Sequence, residues 1–417
     1  MTAFQPGSNT FKYRIPIQWR RIAFVALVIG ILLANYTLVG LSTSLAQSRT
    51  GRPPSNQKKN PDIPEKEPEP DVKQEEPEKT PSQGTLRSKA PGRRPPLKRD
   101  RPQTDTDEPI VIETNVVNTE VVVYNKKTGA IYQNLKKENF TIIEDGVKQE
   151  ITNFRPVEAP VTMVMVLEYS RIISGIRIEV LQAAGAFLQY FVKPEDYISI
   201  VAYDIRPKVL NDFSNNPSEL IGSVNLLWRN VPAFSESNLY DTLRFVIKGG
   251  QLDGEEYVGL EEVQGRTAIL LVSLGIDTFS KLNFDEARRM VDRAGIPVYS
   301  IGIGNLFYKM NDFRMPPEQN LTFLQAFNTL RTFSDSTGGK YFPVTFQGEL
   351  PTTMKSISAL MRNQYSLGYE PSNTRREGKR RKIELQVDVN NDGKPDNKEL
   401  ELQYRKTYTE PGGKPDK

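Results

Sequence analysis

The densest run of metal-type oxygen donors lies near the C-terminal end. Asp388-Val-Asn-Asn-Asp-Gly-Lys-Pro-Asp396, continuing to Glu399, fits the calcium-loop pattern D-x-[DN]-x-[DN]-G-x5-E without a mismatch. Asp388, Asn390 and Asp392 offer alternating oxygens, Gly393 allows the sharp turn, Lys394 lends its carbonyl, and Asp396 and Glu399 close the shell. The flanks KIELQVDV and KELELQYR read as strands, so this is not a helix–loop–helix site. Two readings stay open: a structural calcium clip, and a polar hairpin turn built from the residues such turns use anyway.

Composition narrows the chemistry further. The 417 residues include no cysteine and no histidine, which excludes disulfides, thiolate catalysis, Cys/His zinc sites and histidine acid–base chemistry. Any metal must be held by oxygen, favouring calcium, magnesium or manganese. The net charge of +4 is mixed along the chain, with no basic–aromatic stripe for nucleic acid. Gly302-Ile-Gly304 lacks the third glycine of a dinucleotide fingerprint, and there is no Walker loop or GxSxG. Glu195-Asp196 and Glu255-Glu256 read as loop charge, leaving a carboxylate-based envelope hydrolase as a secondary alternative to a non-enzymatic role.

The N-terminal region reads as an export signal. Lys12, Arg14, Arg20 and Arg21 precede an apolar run from Ile22 to Leu41, which predicts translocation of all that follows. Residues 1–21 are then a cytoplasmic or n-region, and 22–46 are either a signal peptide cut after Ala46 or a membrane anchor. The body is expected to be exported across a bacterial inner membrane and to be periplasmic, envelope-anchored or secreted. Residues 47–109 are crowded with proline and charge and poor in large apolar side chains, predicting a disordered spacer.

Downstream the period changes twice. Residues 110–158 read as β structure, including a hairpin with strands Phe140–Ile143 and Val147–Phe154 about Glu144-Asp145-Gly146. Residues 160–361 alternate strands (Val161–Leu167, Tyr197–Tyr203, Thr267–Ser273, Pro297–Gly302, Lys340–Val344) with helices. Two apolar helix faces are expected, Val180/Ala184/Phe187/Phe191 and Leu321/Leu324/Phe327/Leu330. Residues 362–411 return to β, before a short tail at 412–417. The pattern predicts an α/β class: a Rossmann-like domain inserted in a small β-sandwich-like domain.

On these elements lie LKKENFTIIEDGVKQEITNF, SNLYDTL, IPVYSIGIG, TGGKYF and NQYSLGYEP, in an order and spacing that resemble the bacterial von Willebrand factor A-related family of the Acidobacteria type. The likeness runs from about Val111 to Pro411. It implies an A-type domain whose top face binds another protein or a cell-surface ligand, often through a divalent metal. The family's Asp-x-Ser-x-Ser falls on Glu168-Tyr169-Ser170-Arg171-Ile172. Ser237 stands where threonine is usual, Leu274 where an aspartate is usual, and Asp277 at a second acidic position. Glu168, Ser170, Ser237 and Asp277 are thus a degenerate candidate set, and the losses disfavour magnesium or manganese. Ser170 and Ser237 read equally as caps of turns or helix starts. Tyr169, Arg171 and Phe234 are the expected contacts for a metal-independent partner. A metal-dependent adhesin with a non-standard site is the alternative.

Overall fold

The structure, a computed structural model, describes residues 95–98, 116–157, 159–311, 316–375 and 377–410. The expected export segment, the tail and all of the spacer except Pro95–Lys98 lie outside them. Among the described residues no helix is long and apolar enough to cross a membrane.

A valine-rich run gives β1 (Val117–Asn125), followed by β2 (Phe140–Glu144), β3 (Val147–Gln149) and β4 (Ile151–Val157). The α/β part runs β5 (Val161–Glu168), α1 (Arg177–Tyr190), β6 (Tyr197–Tyr203), β7 (Pro207–Ser214), α2 (Pro217–Arg229) and α3 (Leu239–Lys248). It continues through β8 (Gly249–Leu252), β9 (Glu255–Val258), β10 (Arg266–Ser273), α4 (Phe284–Ala294), β11 (Val298–Gly302) and α5 (Gly304–Asn311). α6 (Pro317–Thr337), β12 (Tyr341–Pro343) and α7 (Glu349–Arg362) complete it. β13 (Gln364–Tyr369), β14 (Arg380–Val387), β15 (Leu400–Tyr404) and β16 (Thr407–Thr409) follow.

The flanking strands make two four-stranded sheets, ordered β15-β1-β13-β4 and β16-β14-β2-β3. N- and C-terminal segments interleave in both, so neither half of this sandwich is complete without the other. The α/β part is inserted between adjacent points of one sheet: the chain leaves after Val157 and re-enters at Gln364, its Cα partner. Val121, Ile142, Leu367, Tyr369 and Leu385 fill the space between the sheets. Arg381 donates to Glu144 Oε1 at 2.8 Å, while the hydroxyls of Tyr369 and Tyr408 donate to Glu144 Oε2 at 2.7 and 2.9 Å. Tyr369 and Glu144 belong to opposite sheets, so this buried network pins one to the other.

The central sheet has the order β12-β11-β10-β5-β6-β7. Counted from β5 in chain order this is 3-2-1-4-5-6, the doubly wound order. Five strands are parallel, and β7 is antiparallel to β6. β5 is buried along its whole length because helices cover both faces. Met163, Met165 and Leu167 pack with α1 on one side, and Val164 and Val166 belong to the core of α3, α4 and α6 on the other.

Three local expectations change. The strand foreseen at Val147–Phe154 breaks at Glu150: β3 pairs with β2, whereas β4 crosses to the other sheet to pair with β13. On α6 the buried face is Phe323, Ala326, Leu330 and Phe333, while Leu321 and Leu324 are exposed. The aromatic residues set that face, because Phe323 and Phe327 pack around Tyr308. Four spacer residues are ordered, since Leu97 finds an apolar site: it pairs with Val263, and Gln264 N–H donates to Pro96 O at 2.8 Å.

Candidate functional site

The C-terminal ends of β6, β5 and β10 meet at one buried carboxyl group. Glu168 closes β5 and is 1% exposed. Its Oε1 accepts from Ser170 Oγ at 2.9 Å. Its Oε2 accepts from Leu274 N–H at 2.7 Å and from Ser273 Oγ at 2.9 Å. Ser273 Oγ in turn accepts from the Tyr203 hydroxyl and from Gly275 N–H, both at 2.8 Å. Burial pushes the Glu168 carboxyl above its ordinary pKa; the Leu274 N–H and the Ser273, Ser170 and Tyr203 hydroxyls oppose that rise without cancelling it. Burial likewise raises the Tyr203 phenol, with the nearby Glu168 adding to the effect.

Sequence reasoning missed Tyr203 and Ser273. A signal existed: Tyr203 ends its strand as the Cα partner of Glu168, and Ser273 ends β10 just before the turn at Leu274.

The other two candidate ligands are elsewhere engaged. Asp277 Oδ1 accepts from Leu239 N–H at 2.8 Å, Tyr240 N–H at 3.2 Å and Ser280 Oγ at 2.5 Å. It therefore caps the start of α3 from a neighbouring loop, where a carboxylate complements the helix dipole. Burial raises its pKa, partly offset by Ser280 and by those N–H groups. Ser237 is buried, and its backbone N–H donates to Thr278 Oγ1 at 2.9 Å. Ser237 Oγ makes no hydrogen bond of good geometry among the described residues, though it influences the Tyr203 phenol. Ser170 begins a short 3-10 turn, Arg171–Gly175, without a side-chain cap bond.

This donor set does not fit a six-oxygen magnesium shell. Both Glu168 oxygens are turned to internal donors. Leu274 is fully buried in the core and Ile172 packs against that core, so the two lost ligands have become apolar packing. The orphaned Ser237 Oγ is the one feature that would welcome a further partner.

Around this centre the loops are fastened to one another. The Tyr169 hydroxyl donates to Leu227 O at 2.7 Å and also contacts Asn230 O. Arg171 N–H donates to Phe234 O at 2.7 Å and its guanidinium to Ala233 O at 2.9 Å. Ser237 O accepts from Thr278 N–H at 2.8 Å and Phe279 N–H at 3.0 Å. Of the three expected contact residues, half-buried Tyr169 is a loop pin, Arg171 is exposed but tied to the 230s loop, and Phe234 is exposed. Val231 and Phe279, 76% and 54% exposed, join Phe234 on these loops and were not foreseen.

The calcium-type loop is a separate feature of the sandwich. Asp388 Oδ2 accepts from Gly393 N–H at 2.7 Å and Oδ1 from Asp392 N–H at 3.2 Å. Asn390 Oδ1 accepts from Asp392 N–H at 3.0 Å, Asp392 Oδ1 from Lys394 N–H at 2.8 Å, and Asp396 Oδ2 from Val389 N–H at 2.9 Å. Asn391 (φ 59°) and Gly393 (φ 85°) make the left-handed steps of the turn. Asn139 holds the loop to the sandwich through Asp388 O at 2.7 Å and Asn391 Oδ1 at 3.0 Å. Lys126 N–H donates to Glu399 O at 2.9 Å. The oxygens fit calcium in type and order, but they face backbone N–H groups, and among the described residues no three acidic side chains converge.

No family model and no curated protein matches the chain. Among solved structures it is similar to the vWF domain of the type V pili tip protein Mfa5 from Porphyromonas gingivalis. Identity there is 14%, covering 49% of this chain and 96% of that one, with a TM-score of 0.35. For the conserved hypothetical protein BatB from Bacteroides thetaiotaomicron the values are 12%, 49%, 100% and 0.34. Proximal thread matrix protein 1 from the mussel byssus is 10% identical over 52% of this chain and 51% of its own, with a TM-score of 0.37. The chain thus spans about half the length of that protein. Its own strand order, with the antiparallel edge strand β7, makes the inserted part a von Willebrand A-like fold.

Proposed function

We propose that the chain is an exported bacterial envelope protein whose A-like domain binds another protein or a cell-surface ligand through the loops at the C-terminal ends of its strands. The mechanism is burial of loop surface, without bond chemistry and without a divalent cation at Glu168. One observation carries this reading: Val231, Phe234 and Phe279 are exposed on loops that Tyr169, Arg171 and Ser237 hold in place. Aromatic side chains dominate interface energies, and fixed loops lose little entropy on docking. The basic-then-apolar N-terminus supports export.

The test is co-sedimentation of the full-length protein with bacterial envelope fractions, with and without EDTA, beside a Phe234→Ser/Phe279→Ser variant. Binding that survives EDTA and is lost in the variant supports the reading. Retention by the variant sinks it, and binding abolished by EDTA and restored by magnesium favours the metal-dependent adhesin.

For the sandwich we propose a structural calcium clip at Asp388–Glu399. The supporting observation is the Asp388 carboxylate spanning Asp392 and Gly393 N–H, with the Asn390 and Asp392 oxygens alternating around the turn. Bound calcium would hold β14 and β15 at their joined ends.

A further inference from the structure

We infer that the Glu168 carboxyl group is a cation-free lock for the whole C-terminal end of the central sheet. Three adjacent strands converge on it, each by a different chemical group. β5 supplies the carboxyl itself and, two residues on, the Ser170 hydroxyl. β10 supplies Ser273 Oγ and the Leu274 N–H, and β6 supplies Tyr203, whose hydroxyl donates to Ser273 Oγ at 2.8 Å and lies 3.4 Å from Glu168 Oε2.

The donors suffice without a metal. Two hydroxyls and one backbone N–H converge on a carboxyl group that is almost wholly buried. A buried acid held by two or three such bonds needs no countercharge. Removing the carboxyl would orphan all three donors, the costly half of breaking a buried hydrogen bond.

The lock also explains the backbone beyond β10. Gly275 has φ +85°, and a Cβ there would come within 2.6 Å of Ala326 O and 2.8 Å of Leu330 Cγ. The turn can therefore lie tight against α6 while Gly275 N–H donates to Ser273 Oγ. Its path is set from both sides, by the carboxyl below and by α6 behind. Next along the chain come Asp277, which caps α3, and Phe279, one of the exposed aromatics. The lock is thus coupled to the position of the proposed binding loops, although it stands whether or not those loops bind a partner.

Two readouts on the full-length protein test it: amide hydrogen exchange at Leu274 and Gly275, and Mn2+ titration followed by electron paramagnetic resonance. Both are run on the parent, Glu168→Gln, Ser273→Ala and an Asp392→Ala variant that silences the calcium loop. The lock predicts protected Leu274 and Gly275 amides in the parent; Gly275 loses protection in Ser273→Ala, which removes its acceptor, and Leu274 keeps it in Glu168→Gln, whose amide oxygen still accepts. It also predicts that Asp392→Ala binds no Mn2+. An unprotected Leu274 amide in the parent overturns the inference. So does Mn2+ bound by Asp392→Ala and released when Glu168→Gln is added to it. Loss of envelope binding in Phe234→Ser/Phe279→Ser, by contrast, bears only on the proposed function.

Discussion

Tyr203 and Ser273 share a 2.8 Å hydrogen bond although a whole strand, β5, lies between theirs. The bond is possible because Tyr203 is long enough to reach over the end of β5, where Glu168 is its cross-strand partner. The tyrosine, the serine and the glutamate thereby form one buried polar cluster in an otherwise apolar layer. Such a cluster stabilises only when every member is satisfied.

Restoring the acidic residue of the lost metal pattern should therefore harm the protein. Leu274 is 0% exposed, and its N–H already serves Glu168. Leu274→Asp places a second carboxylate beside the first and removes core packing, at a cost of about 3 kcal/mol or more in urea unfolding. Magnesium should not rescue it while Ile172 still occupies the other ligand position. Rescue by magnesium alone would show that the site needs only one more oxygen.

Acid stability should depend on Asp196, at the opposite end of the sheet. Its side chain is fully buried, accepts from Val161 N–H at 3.0 Å and Lys193 N–H at 2.8 Å, and pairs with Arg362 of α7. Burial pushes its pKa up, but Arg362 and the two N–H groups outweigh burial and hold it below the ordinary aspartate value. A depressed folded pKa means stability that is complete above the unfolded value and lost as pH falls through the folded one. Asp196→Asn should cost about 3 kcal/mol near neutral pH, with the deficit shrinking only below the ordinary carboxylate range. A deficit unchanged in strong acid would locate the loss in packing.

How far the sequence could be read follows a physical divide. Strands buried on both faces, such as β5 and β10, announce themselves as apolar runs, and their alternation with helices gives the sheet. The edge strand β7 does not, because PKVLNDFS is mostly half-buried and carries no clear period. The sequence marks Glu168, Ser170, Ser237 and Asp277 one by one; Glu168 closes β5 with Ser170 just beyond it, Asp277 lies in the loop after β10, and Ser237 in the loop before α3. It does not mark their partners. That Asp277 caps α3, or that Tyr169 turns inward to Leu227 O, is decided by loop packing between distant segments. The exposed Leu321 and Leu324 show the same limit, since a helix with apolar residues all round leaves its buried face to its neighbours.

Calcium should raise the melting temperature of the parent and leave Asp392→Ala unmoved. At calcium near 100 times its dissociation constant the gain is about 2.7 kcal/mol for a single site. Magnesium, smaller and demanding strict octahedral geometry, should do much less at this flexible turn. Calorimetry with EDTA as the baseline makes the comparison. Equal calcium shifts in parent and variant would return the loop to a plain hairpin turn.

The short docked stretch of the spacer offers a chemically clean test, because the chain has no cysteine of its own. Leu97 and Val263 are antiparallel bridge partners, and Lys98 Nζ donates to Glu261 O at 2.7 Å beside them. Directly opposed residues of an antiparallel pair lie about 4.5–5.5 Å apart at Cα, within disulfide range. Leu97→Cys/Val263→Cys should therefore form an intramolecular disulfide under mild oxidation, visible as faster migration on a non-reducing gel. Leu97→Cys/Val298→Cys, with its second thiol buried in β11, should not. Closing a loop of this length stabilises by roughly 5 kcal/mol in the chain-entropy account, so the cross-linked protein should also melt higher. A Leu97/Val263 pair that stays reduced would mean that the spacer does not rest on the A-like domain in solution.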